Sequence, residues 1–160
     1  AALDKELTIL FSEDPEELKK RCVRAAYDFK GIHNSVNVLK EWKRVLKLGG
    51  MLRLAVPDFE ALSVLYQETG DLNKVIGPLY GRWPLKDGSC FYHKTVYDFK
   101  SLETVLLNAG FDNIQRWDWK EVFVGELKDF DDYSKAFQPH LDFENGRLMS
   151  LNVQCIKGAI

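Results

Sequence analysis

The chain has 160 residues, 46% apolar, 12% aromatic and 29% charged, with a formal net charge of −2. That fits one domain over residues 1–160 with a real core, and it excludes wholesale disorder. The 22 basic and 24 acidic residues nearly cancel, so no global field is available to attract nucleic acid or anionic lipid as a partner. No apolar run approaches the roughly 20 residues of a membrane span, and the first residues do not read as a signal peptide.

Leu7–Phe11 (LTILF) has the length and β-branched centre of a buried strand. Asp14-Pro15-Glu16-Glu17 follows as a helix start: a capping carboxylate, a proline at the first helical position, and acids at the positive end of the dipole. A helix from about Pro15 to Tyr27 completes a strand–helix unit. A second helix is predicted from Asn34-Ser35, with Val38, Leu39, Trp42, Val45 and Leu46 on one stripe. Lys40, Glu41, Lys43, Arg44 and Lys47 take the other face, which solvation explains without nucleic acid. Gly49-Gly50 ends this helix in a left-handed cap or a tight turn. Met51–Val56 then reads as an interior strand covered on both faces. Asp58 caps a helix carrying Leu62, Leu65 and Tyr66.

From Thr69 to Tyr92 the periodicity disappears among Gly77-Pro78, Gly81, Trp83-Pro84 and Asp87-Gly88, which predicts a long loop. Asp98 caps a further helix through Leu102, Val105, Leu106 and Ala109, closed by Gly110-Phe111. Asn113–Trp119 alternates imperfectly and reads as a strand, and Glu121–Gly146 as a polar, aromatic loop. Leu148–Ile156 is the closing strand, with Leu151, Val153 and Cys155 on one face. Strands alternating with helices at this spacing predict an α/β fold. The three cysteines, Cys22, Cys90 and Cys155, are odd in number and lack CxxC spacing. Neither a disulfide framework nor a zinc site is expected, and a cytoplasmic location follows.

The run from Val38 through Trp42, Leu46-Lys47-Leu48-Gly49-Gly50 and Met51–Val56 to Pro57-Asp58 resembles the fourth-helix, fifth-strand region of class I S-adenosylmethionine-dependent methyltransferases. Leu48 stands where that family usually carries proline. The resemblance continues through His93-Lys94, Tyr97, Ser101–Leu106, Asn108-Ala109-Gly110-Phe111 and the tail Ser150–Lys157, spanning roughly Val36 to Lys157. It implies a Rossmann-like methyltransferase fold: a mostly parallel sheet with an antiparallel C-terminal strand. It also implies S-adenosylmethionine as cofactor and methyl transfer to a small-molecule or sugar acceptor.

The family holds its cofactor with a glycine-rich turn and an acidic residue, because glycine permits close approach and a carboxylate takes a diol. No GxG occurs here, and only 37 residues precede Val38, too few for the usual three strands and three helices. The N-terminal half is therefore expected to be shortened, or to continue in a longer protein. The resemblance makes Asp28 and His33 the candidates beside the cofactor and His93 the candidate base. Tyr92, Tyr133 and His140 are the candidates around the acceptor. His93 sits between Tyr92 and Lys94 where a neutral imidazole can take a proton from an attacking group. The plainer alternatives are a structural or surface role for His93 and an ordinary loop position for His33. His140 near Asp131 and Asp132 lacks metal-ligand spacing, so no metal is expected and a solvated acidic loop is the simpler reading. Trp83, Trp117 and Trp119 line a sugar or planar-substrate site or, more simply, are partly buried core, and Asp58 is a helix cap rather than a catalytic acid. The rival function is a non-catalytic methyltransferase-like interaction domain without cofactor. An incomplete sheet would leave an open edge through which two copies pair.

Overall fold

The computed structural model of the protein describes residues 35–84, 87–124 and 133–158, the side chains of Trp83 and Phe91 excepted. The predicted strand at Leu7–Phe11 and the helix from Pro15 lie outside these residues.

Helix α1, Ser35–Val45, buries Val38, Leu39 and Trp42 on the predicted stripe, and Gly49 turns the chain with φ +74°. Strand β1, Met51–Pro57, follows. Asp58 then caps α2, Phe59–Thr69, its Oδ1 accepting hydrogen bonds from the Glu60 N–H (3.1 Å) and the Ala61 N–H (3.5 Å). The stretch read as a long loop holds a third helix, α3, Asn73–Tyr80. Gly77-Pro78 hides it from a sequence reading, because both residues normally interrupt helices. Val75 nevertheless buries against Leu62 and Leu65 of α2, and this packing overrides the local signal. Two short strands, β2 (Trp83–Pro84) and β3 (Cys90–Phe91), pair after it.

Asp98 opens α4, Phe99–Asn108, with a capping box: its carboxylate accepts from the Ser101 N–H at 2.7 Å while the Ser101 hydroxyl accepts from the Asp98 N–H. Gly110, at φ +87°, leads into β4, Asp112–Arg116. A short helix α5, Trp119–Val122, a 3-10 turn at Tyr133–Lys135, and the paired strands β5 (Phe137–Gln138) and β6 (Arg147–Leu148) lead to β7, Ser150–Ile156.

The main sheet has the order β1-β7-β4. Here the expectation of a mostly parallel Rossmann-like sheet is overturned. Both ladders of the sheet are antiparallel, as are the two short pairs. The parallel pairing among the described residues is an isolated bridge between Asp58 and Tyr97. The cause is the position of β7, which lies between β1 and β4 and runs against each. Those two strands point the same way but never touch. Strand β1, expected in the interior, is an outer strand of this described sheet.

The two faces of the sheet differ. Register pairs Leu52 with Cys155, Leu54 with Val153 and Val56 with Leu151. This face packs against α1 and α4, joining Trp42, Leu46, Leu102, Leu106 and Phe111 in the main core. Period-two alternation sends Arg53, Ala55, Ser150, Asn152 and Gln154 to the other face. That face is polar yet covered, since the 3-10 turn packs across β1 and β7. The Asn152 side chain accepts from the Ser150 hydroxyl at 2.8 Å and donates to the Ser134 carbonyl at 2.9 Å. All three residues are buried and all three are bonded, as burial of polar groups demands.

A bidentate ion pair ties α2 to β6: the Arg147 guanidinium donates to both Glu68 oxygens at 2.8 and 2.9 Å. These hydrogen bonds hold the Glu68 carboxyl below its ordinary 4.5. The folded chain thus binds fewer protons at Glu68 than the unfolded chain over that range. Its stabilisation is present above pH 4.5 and is lost as the pH falls through the lower, folded value. Thermal melts between neutral and acid pH should show this loss, and Glu68→Gln should flatten that part of the profile. An unchanged slope would show that the pair contributes nothing. Cys155, in the main core, is a structural thiol whose burial pushes it up to about 12.

Candidate functional site

His93 is half-buried at the end of the β2–β3 pair. Its N–H donates to the Tyr80 carbonyl at 2.9 Å, and its ring Nδ1 lies 3.1 Å from the Leu79 carbonyl. A carbonyl oxygen can only accept, so Nδ1 carries the hydrogen, and in the neutral ring the basic lone pair sits on Nε2. The backbone of α3 therefore sets the tautomer. Gly81 makes room for this arrangement. It has φ +53°, and a Cβ there would overlap the imidazole ring. The helix that the sequence hid is what positions the histidine that the sequence singled out.

The second polar constellation sits at the carboxyl ends of β1 and β4. Asp58 is only 6% exposed. Its Oδ1 caps α2, while Oδ2 accepts from Arg116 Nη1 at 3.3 Å, across the intervening strand. Glu60 stands 3.8 Å from the same guanidinium. The reading of Asp58 as a cap holds, and the partner from β4 is an addition that no local motif announces.

On the polar face, Trp117 is buried and its indole N–H donates to the Leu54 carbonyl at 3.2 Å. Arg53 stacks over its ring at 5.7 Å and donates to Gln154 at 3.0 Å. Burial lowers the Arg53 proton affinity. Beyond Trp117, the rings of Trp119, Phe137 and Phe143 meet with centroids 5.2–6.3 Å apart. Lys135 lies 5.2 Å from the Trp119 ring and 5.0 Å from the Phe123 ring, within the range of a cation–π contact. Trp119 is thus half-exposed in an aromatic shelf, while Trp117 is core.

Of the residues singled out from the sequence, Tyr92 is exposed beside His93. Tyr133 is half-buried in the 3-10 turn and His140 is exposed two residues past β5. These two belong to the polar-face segment, and His93 belongs to the α3 side. Asp28 and His33 lie outside the described residues, as do Asp131 and Asp132. No cluster of His, Cys, Asp or Glu among the described residues could hold a metal ion. No described helix is long and apolar enough to cross a membrane. Sequence reasoning missed the Asp58–Arg116 pair and the Ser150–Asn152–Ser134 network. The alternation Ser150-Leu151-Asn152-Val153-Gln154 carried a signal for the second: a strand with polar residues on every other position beside an entirely apolar set.

Over 104 residues the chain is 31% identical to the demethylmenaquinone methyltransferase of Protochlamydia amoebophila (strain UWE25). The match covers 60% of this chain and 42% of that protein, so the chain spans less than half the length of this relative. The chain is therefore similar to a methyltransferase, in loose agreement with the resemblance carried by its GG turn. No family model matches the chain, and no solved structure does.

Proposed function

We propose that the chain belongs to an S-adenosylmethionine-dependent methyltransferase: its described residues supply the acceptor side, and Asp28 and His33, outside them, are the candidates beside the cofactor. The observation that carries this reading is the 31% identity to a protein named as a methyltransferase. The cofactor itself finds no cradle among the described residues. Asp58, the buried carboxylate there, already accepts from two backbone N–H groups and Arg116, which leaves little capacity for ribose hydroxyls. Gly81 is filled by the His93 ring, and no GxG turn exists. No step is therefore routed through the cofactor.

The chain's own contribution to the reaction is proton removal and orientation. A methyl acceptor gains nucleophilicity when its hydroxyl, amine or activated carbon loses a proton. His93 Nε2 is the base in this reading, fixed by the Leu79 carbonyl behind the ring. Tyr92, exposed beside His93, orients a small-molecule acceptor, while Tyr133 and His140, on the polar-face segment, are candidates for the part of an acceptor that extends away from the base. The relative's name contains demethylmenaquinone, and its reduced, quinol form is the first acceptor to try, because the quinone has no hydroxyl proton for a base to remove.

The test supplies this quinol and methyl-labelled S-adenosylmethionine to the purified chain. Label should appear in the acceptor, and His93→Gln should slow transfer by about 100-fold or more with KM for the acceptor little changed. A wild-type rate no greater than that of buffer would overturn the enzymatic reading. Transfer that survives His93→Gln intact would remove His93 as base.

A further inference from the structure

Helix α3 and the hairpin after it carry an exposed surface that adjoins the candidate site and extends well beyond it. Among the described residues, five of the thirteen exposed large apolar ones lie between Leu72 and Val96, so the exposure is concentrated rather than scattered. Leu72, Ile76 and Tyr80 recur every four residues and are 54%, 40% and 56% exposed. They form one stripe, while Val75 and Leu79 turn toward α2. The hairpin extends this stripe. Trp83 pairs with Phe91, which sets Arg82 opposite Tyr92, and the bond from His93 to Tyr80 lays Tyr92–Lys94 beside the end of α3.

The charge of this segment is opposite to that of the chain. Between Leu72 and Val96 the sequence has Lys74, Arg82, Lys86 and Lys94 against Asp87 alone, in a protein of net charge −2. Exposed aliphatic side chains, tyrosines whose rings suit an apolar–water boundary, and basic groups at their rim match the interface of an anionic bilayer. A second copy fits less well. A two-fold interface would bring Arg82 and Lys94 against their own like charges. A nucleic acid would meet the cations but has no use for the Leu72–Ile76 stripe.

We propose that α3 and the following hairpin dock on membrane surfaces rich in anionic phospholipid. Leu72, Ile76 and Tyr80 sink into the boundary between headgroups and acyl chains, and Arg82 and Lys94 face the lipid phosphates. The surface shares Tyr92 with the methyl-transfer reading, but vesicle binding is measured without methyl transfer, so the two fail separately.

Vesicle co-sedimentation of the full chain tests this, with phosphatidylcholine alone and with phosphatidylcholine mixed with phosphatidylglycerol. The chain should pellet with the mixed vesicles, and added salt should release it. Arg82→Glu with Lys94→Glu should weaken partitioning by about tenfold or more. Ile76→Ser with Tyr80→Ser should weaken it at any salt concentration. Lys100→Glu, an exposed charge on α4, should leave binding intact, with circular dichroism confirming the fold of each variant. Equal pelleting with neutral vesicles, or none with either, overturns the proposal. So does self-association in analytical ultracentrifugation that Ile76→Ser abolishes without vesicle binding, which would assign the stripe to a second copy.

Discussion

Replacing Phe111 with alanine should lower the unfolding free energy by about 3–5 kcal/mol. Phe111 is 1% exposed, where the Gly110 turn feeds into β4. Its ring lies in the main core with residues of α1, α4, β1 and β7, so four elements lose contacts at once. Its N–H donates to the Leu106 carbonyl at 3.1 Å and fixes the backbone there. The surroundings therefore cannot collapse onto the vacancy, and the cavity adds its cost to the lost transfer energy. Urea titration with intrinsic fluorescence would measure the change as a lower midpoint at unchanged slope. A loss below about 1 kcal/mol would mean that the core repacks and that Phe111 is no keystone.

Asp58→Ala should cost about 2 kcal/mol, more than an ordinary cap. The substitution removes the acceptor for the first N–H groups of α2 and strips Arg116 of its close carboxylate partner. Asp58→Asn keeps a capping oxygen and should retain well over half of the lost stability. The same titrations decide it. If both variants unfold alike, the helix cap contributes little and the ion pair carries the effect. If neither is destabilised, the proposed function must be reconsidered too, since a structurally idle Asp58 would have carboxylate capacity to spare for a ligand.

Local features were legible in the sequence, and the pairing of distant elements was not. The stripe of α1, the Gly49 turn, the Asp58 and Asp98 caps and the Leu151–Val153–Cys155 face all follow from spacings of a few residues. Each is present. The parallel sheet was an inference about neighbours, and strand content says nothing of which strand enters between which. Helix α3 escaped because its stabilisation comes from α2 rather than from its own Gly77-Pro78 sequence. At the candidate site, His93 stood out as a lone imidazole between Tyr92 and Lys94. Its tautomer depends on Leu79, fourteen residues away and in the unseen helix. The Arg116 partner of Asp58 lies 58 positions along the chain, beyond any local pattern.

The central position of β7 has a consequence for biosynthesis. Strands β1 and β4 emerge from the ribosome with an unsatisfied edge each, and the segment that joins them is translated about a hundred residues after β1, at the far end of the described chain. Closure of such a long span is entropically slow. The nascent polypeptide must therefore keep the apolar β1 and the polar, largely exposed β4 unpaired until Ile156 has left the exit tunnel, and a stalled or prematurely ended translation product would present both open edges to chaperones or to aggregation.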